Sequence, residues 1–323
     1  MEYSYLGRSG LKVSKLCLGT MNLGKLVDES KSFSILDAAI DVGINFIDTA
    51  NVYGGIHQRG KTEEIIGKWI SKEKNKRDKF VLATKVYGKM GEGINEKGLS
   101  AYHIRSACES SLRRLQTDHI DLYQMHHSDR NTPWDEIWQE MEKLVYSGKI
   151  IYNGSSNFAA WQLVEAQLIA RSRNFNGIIS EQSIYNLTNR MIELEVIPAC
   201  KKFGIGLIPW SPLAEGLLGG VLKDNPGVRR KTETIKNRIN QSRKQIEEYE
   251  KYCLSINKKP GIVAVAWLLN NSAVSSVIVG PRTVEQLVDL VDGLDTKLTE
   301  EEIRTVENIW PGPGGEAPEA YAW

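Results

Sequence analysis

The sequence predicts an α/β fold, a (β/α)8 TIM barrel with an N-terminal hairpin and extra C-terminal helices, filling residues 1–323 as one domain. Three observations predict it. Eight short apolar runs alternate with longer segments of helical period, the pattern of a parallel sheet covered by helices. No break in composition divides the chain, which favours one closed barrel over two open sheets. The doubly wound alternative wants a G-x-G-x-x-G turn after its first strand, and "CLGTMNLG" (17–24) lacks that spacing.

The elements follow in order. "YLGRSGLKVS" (5–14) reads as a hairpin turning at Gly7-Arg8-Ser9-Gly10, placed to plug the barrel bottom. The eight strands are expected at 15–19, 45–49, 80–86, 120–126, 150–156, 177–183, 204–210 and 275–280. Helical period marks 32–42, 61–71, 100–115, 133–147, 161–173, 191–203 and 261–270. Thr132-Pro133-Trp134-Asp135 reads as a capped helix start, and Thr299 with Glu302 as a capping box for a C-terminal helix. Two connections are long: the glycine-rich 87–99, and about 213–260, where an extra helix is expected from Ile235 to Ile256. The basic run "RRK" (229–231) within it reads as a solvated loop cluster.

Composition narrows the function. Hydrophobic residues make up 41% and charged residues 25%, the values of a soluble globular protein. A net charge of +1 argues against nucleic-acid and membrane-surface partners, which call for a basic excess. Cys17, Cys108, Cys200 and Cys253 are widely spaced, without metal-ligand spacing, and read as free thiols. "MEYSYLGRSG" has no signal-peptide pattern and no apolar run approaches a membrane span, so a cytoplasmic location is expected.

In a barrel the C-terminal strand ends converge on one face, where the chemistry sits. "FIDTANVYGG" (46–55) starts as a buried strand and then delivers Asp48 and Tyr53. Later strand ends deliver Lys85, His126, Ser155-Ser156-Asn157, Glu181-Gln182 and Trp210-Ser211. Fold stability alone does not require polar groups on so many strand ends. They make sense as a proton-donating site. A free tyrosine is a poor acid at neutral pH, but an adjacent ammonium favours the phenolate and a carboxylate keeps that ammonium charged. Asp48, Lys85 and Tyr53 can form such a chain, with His126 donating to a carbonyl oxygen.

At these residues the chain resembles the aldo-keto reductases. The resemblance rests on "GINFIDTANVYG", "LATKV", "DLYQMHHSD", "GSSNF", "SEQSIYN", "WSPLAEGLLGG" and "IVGPRTVEQL", in family order over most of the chain. It implies an NADPH-dependent oxidoreductase that reduces an aldehyde or ketone, a keto-sugar or another small carbonyl, with a tetrad of Asp48, Tyr53, Lys85 and His126. By the same resemblance, Ser156 and Asn157, assisted by Gln182, hold the nicotinamide carboxamide, and Trp210 stacks on the ring. The 211–220 loop, with Ser211, Leu213 and Gly216, covers the pyrophosphate. Gly280, Arg282 and Gln286 take the adenosine end, Arg282 near the 2′-phosphate, and Asp289 meets the adenine. Leu290 departs from the family pattern, standing where an asparagine often contacts the base.

Competing readings stay in view. Asp48 alone can be a turn residue, Lys85 a solvated charge and Trp210 ordinary packing. Strand alternation lets only one of His126 and His127 face inward, and the family spacing selects His126. Adjacent histidines on a strand do not share a metal easily, so no metal is expected. The family also includes channel-associated β subunits, redox-sensing NADPH-binding modules, and a Lys85 Schiff-base aldolase is a third reading. The terminal "APEAYAW" (317–323) is expected to fold back and line the substrate pocket. Monomeric and homo-oligomeric states both fit the sequence.

Overall fold

In the computed structural model, which describes residues 1–55, 57–222, 233–294 and 296–320, Tyr3–Tyr5 (β1) and Lys12–Ser14 (β2) form an antiparallel hairpin ahead of the barrel. The hairpin seals the bottom. Gly7, at φ 56°, lies so close to the Ile179 carbonyl that a Cβ there would overlap it, and only glycine takes both the contact and the left-handed backbone without cost.

The barrel strands are Leu16–Gly19 (β3), Phe46–Asp48 (β4), Val81–Val86 (β5), Ile120–Met125 (β6), Ile150–Ser156 (β7), Ile178–Gln182 (β8), Gly206–Leu207 (β9) and Val277–Val279 (β10). All adjacent pairs are parallel, and the order is β10-β3-β4-β5-β6-β7-β8-β9. The two ends meet through a Leu207–Val274 bridge and a bond from Ile278 N to Pro209 O at 2.9 Å. The predicted (β/α)8 barrel is therefore the observed fold.

The helices are Glu29–Asp41 (α1), Lys61–Ser71 (α2), Ala101–Leu115 (α3), Trp134–Tyr146 (α4), Ala160–Ser172 (α5), Val196–Phe203 (α6), Glu233–Gln241 (α7), Arg243–Ser255 (α8), Pro260–Asn270 (α9), Val284–Asp292 (α10) and Glu300–Ile309 (α11). Thr299 and Glu302 cap α11 reciprocally, as the sequence implies. Three details differ. Thr132 does not cap α4, because its hydroxyl donates to Asp129 at 3.0 Å and Pro133 takes the cap position. The inserted helix breaks at Ser242 (φ −104°, ψ 17°) into α7 and α8. Helix α10 carries a cap the sequence reading passes over: Thr283 Oγ1 accepts from Gln286 N, and Gln286 Oε1 accepts from Arg282 N.

Strand alternation builds two apolar layers. Leu6, Val13, Cys17, Phe46, Val81, Ala83, Leu122, Ile179, Ile208 and Ile278 fill the barrel interior, and the larger cluster joins the outer strand faces to the helices. Each fully buried aliphatic or aromatic side chain contributes roughly 1.5–3 kcal/mol. This floor supports the polar layer above it. All four cysteines are buried and unpaired. Among the described residues no helix is long and apolar enough to cross a membrane. After α11 the chain lies on the loop that follows β8, where Ala317 N donates to Leu194 O at 2.9 Å. Tyr321 and Trp323, expected to line the pocket, and the basic run 229–231 fall outside the described residues.

Candidate active site

Asp48 ends β4 with its side chain turned into the barrel, and Lys85 reaches it from the next strand. Lys85 is completely buried, a position that disfavours a charge unless every proton is used. They are used. Its Nζ donates to Asp48 Oδ2 at 2.6 Å, to the Thr49 carbonyl at 2.8 Å and to the Tyr53 hydroxyl at 3.3 Å. The other Asp48 oxygen accepts from Gln124 Nε2 and Gln182 Nε2, both at 2.9 Å, and the two amides are joined at 3.1 Å. A satisfied network of this kind fixes its members in one geometry.

The charges follow from that geometry. Burial works against the Lys85 ammonium, but Asp48 and Tyr53 together lift its pKa above the ordinary value, so it stays cationic. For Tyr53 the balance corrects the sequence expectation of a lowered pKa. Removal from water raises it, Lys85 pulls it down, and burial wins. The phenol therefore keeps its proton at neutral pH. Its oxygen accepts from Lys85, and among the described residues nothing accepts its own proton.

The Tyr53 turn is held from behind. Its carbonyl accepts from Gly60 N at 3.1 Å, at the start of α2. Helix α2 is anchored in turn by buried Glu63, which accepts from Thr84 Oγ1 at 2.6 Å and Arg114 Nε at 2.7 Å.

His126 stands one residue past the end of β6, with its ring 6.0 Å from that of Tyr53, edge to face. Burial pushes its pKa down to about 2, with Lys85 and His127 adding to the effect, so the imidazole is neutral. The expected opposition of His126 and His127 does not hold. Their rings stack at 5.2 Å, because both follow the strand and escape its alternation.

A second cluster adjoins the first. Ser156 Oγ donates to the Gln182 carbonyl at 2.8 Å. Asn157, left-handed at φ 60°, donates to Ser156 Oγ at 2.9 Å and to the His126 carbonyl at 3.3 Å, and accepts from Trp210 Nε1 at 3.1 Å. The side chain of Gln182 turns toward Asp48, so one residue ties the two clusters together. A β-bulge makes this possible. Asn153 pairs with Ile178 and Gly154 with Ser180, so Ile179 is an extra residue that shifts the parity of β8 and turns Gln182 inward.

Of the remaining residues singled out by sequence, Ser211 at φ 57° and Gly216 at φ 103° bracket a loop that includes Leu213 and two further left-handed residues, Ala214 and Glu215. Asn186 Nδ2 holds the Ser211 carbonyl at 2.9 Å. Gly280 O accepts from Asn22 Nδ2 at 2.9 Å. Gln286 is occupied in capping α10, and Asp289 pairs with Lys259 at 3.1 Å. The Arg282 backbone N–H donates to Gln286 Oε1 at 2.9 Å, and its guanidinium has no carboxylate within 4.0 Å among the described residues. No described group of His, Cys, Asp and Glu is arranged to hold a metal ion. Sequence reasoning passed over Gln124, whose signal is a polar residue two positions after inward-facing Leu122.

The residue types fit a phosphorylated dinucleotide: a guanidinium with no carboxylate beside it among the described residues, a left-handed loop, and a hydroxyl, an amide and an indole that here bond within their own cluster. The model of the Aldo/keto reductase family matches residues 15–311. The uncharacterized oxidoreductase YrpG of Bacillus subtilis (strain 168) is 52% identical, with both chains covered in full. The versiconal hemiacetal acetate reductase of Aspergillus parasiticus is 36% identical over 95% of this chain and 96% of its own. A probable voltage-gated potassium channel subunit beta of Oryza sativa subsp. japonica is 33% identical over 96% of both chains.

Proposed function

Because this chain belongs to the aldo/keto reductase family, we propose that it reduces an aldehyde or ketone to the alcohol with NADPH, and that Tyr53 supplies the proton. NADPH, when bound, supplies the hydride that goes to the carbonyl carbon. Tyr53 gives its O–H proton to the carbonyl oxygen, Lys85 stabilises the resulting phenolate, and solvent restores the proton. Neutral His126 donates a hydrogen bond to the same oxygen and orients it. Ser156 and Asn157 take the carboxamide, Trp210 the ring face, the 211–216 loop the pyrophosphate, and Arg282 the 2′-phosphate. Gln286 and Asp289 support that end less directly, since the structure already engages both.

The observation that carries this reading is the use of Lys85. All three of its protons are committed, one of them to the Tyr53 oxygen, so the phenolic proton is left for a substrate. The same fact argues against the Schiff-base aldolase, which needs a neutral, free amine. The whole chain acts as one catalytic domain in the cytoplasm, with no nucleic-acid or membrane partner. The test is NADPH consumption with a panel of aryl and alkyl aldehydes, ketones and keto-sugars. Multiple turnover on any of them supports the reductase.

The likeness to a channel β subunit favours a second reading, a redox-sensing regulatory subunit. Tight NADPH binding, with at most one oxidation per chain, would select it over the enzyme.

A further inference from the structure

Glu181 is a fully buried carboxylate that takes no part in the proposed reduction. It lies on β8 beside Leu207 of β9, a neighbour that packs in the apolar layer under the helices. Its charge reaches Cys200 of α6, where it adds to burial in pushing that thiol up. An apolar side chain suits such a place better, because a buried charge costs several kcal/mol unless its hydrogen bonds are complete.

The shortest of those bonds go to three residues. Glu181 Oε2 accepts from Ser155 Oγ at 2.5 Å, and Oε1 accepts from Ser183 Oγ at 2.7 Å and from Phe158 N at 3.2 Å. Burial pushes the Glu181 carboxyl up, and these donors pull it back. Each partner is the sequence neighbour of a residue assigned to the nicotinamide end: Ser155 precedes Ser156, Phe158 follows Asn157, and Ser183 follows Gln182. The bulge at Ile179 sets this division, with Ser156 and Gln182 turned to the barrel and Ser155 and Glu181 to the helices.

We propose that Glu181 is the positioning residue for the nicotinamide end of the cofactor site, clamping Ser155, Phe158 and Ser183 from the helix side so that Ser156, Asn157 and Gln182 face the ring in fixed geometry. The proposal rests on the reading that these three residues hold the nicotinamide. It separates Glu181 from the catalytic residues, because its carboxylate acts through Ser155, Phe158 and Ser183 and is assigned no contact with cofactor or substrate.

The test compares two ligands on folded Glu181→Ala and Glu181→Gln proteins. One is NADPH. The other is its adenosine-end fragment, adenosine bisphosphate phosphorylated at the 2′ and 5′ positions. Loss of the clamp weakens NADPH about tenfold or more, the scale of one or two charge-assisted hydrogen bonds. The fragment, which never reaches Asn157, keeps its affinity within about twofold, and Glu181→Gln recovers most of the loss because one acceptor and the shape remain. NADPH affinity unchanged in Glu181→Ala, or equal losses for both ligands, overturns the proposal. If Glu181→Ala does not fold, Ser183→Ala makes the same comparison with a smaller expected loss, and unchanged NADPH affinity there is equally decisive. The wild type separates the two levels. Equal affinity for NADPH and fragment overturns the nicotinamide reading itself, whereas a wild-type difference that Glu181→Ala preserves overturns only the role of Glu181.

Discussion

Replacing Lys85 with methionine separates the electrostatic account of Tyr53 from one based on shape alone. Methionine fills much of the same space but carries no charge. The ammonium lies 3.3 Å from the phenolic oxygen. At an effective dielectric constant of about 20, a cation and a phenolate at that distance attract by about 5 kcal/mol. If about half of the phenolate charge has developed when the proton is in flight, about 2.5 kcal/mol of transition-state stabilisation disappears, and kcat falls about 10²-fold. Asp48 is also left buried with only the Gln124 and Gln182 amides. Breaking a buried pair from one side costs about 3–5 kcal/mol, so the melting temperature drops by several degrees. The assay is kcat at saturating NADPH and carbonyl, with NADPH affinity and a thermal melt on the same preparation. Affinity should hold within about twofold, since no residue assigned to the cofactor bonds to Lys85. A Lys85→Met enzyme with kcat within about threefold of wild type would refute the electrostatic argument.

The pH dependence of reduction should be flat from about pH 6 to 9, because Tyr53 is held above its ordinary value and His126 is neutral down to about 2. A step near pH 6.5 that His126→Asn abolishes would contradict the neutral imidazole. Stability gives the matching sign: His126 takes up a proton on unfolding, so its contribution is complete above about pH 6.5 and declines below it, by at most about 1.4 kcal/mol per pH unit. His126→Asn should therefore lose less melting temperature than wild type between about pH 7 and 5. Arg282→Ala should weaken NADPH by about 1–3 kcal/mol and leave NADH almost unchanged, and equal losses would show that Arg282 does not read the 2′-phosphate.

How much of this is legible in the sequence depends on the kind of interaction. Asp48 and Lys85 are visible because each puts a charge at the end of an apolar strand, where burial demands a partner. Gln124 obeys the same parity as Leu122, but an uncharged amide inside a strand carries a weaker signal. The inward turn of Gln182 is hidden, since it depends on a bulge that only the pairing of β7 with β8 defines. Local chemistry misleads where a distant group competes. Thr132 has the composition of a helix cap and instead serves Asp129. Thr283 and Gln286 form a cap whose spacing was there to read. The sign of the Tyr53 shift is lost for a different reason. Sequence places an ammonium near the phenol, but the desolvation that outweighs it is a property of the folded barrel.

The central claim is that Tyr53 is the proton donor, and Tyr53→Phe tests it most directly. The substitution removes one oxygen from a residue whose backbone is held by α2 and leaves the Asp48–Lys85 pair intact. Reduction of the best carbonyl in the panel should fall by about 10²–10⁴ in kcat, the range of a positioned general acid, with NADPH affinity unchanged within about twofold. A Tyr53→Phe enzyme that binds NADPH normally and reduces that carbonyl near the wild-type rate would contradict the account.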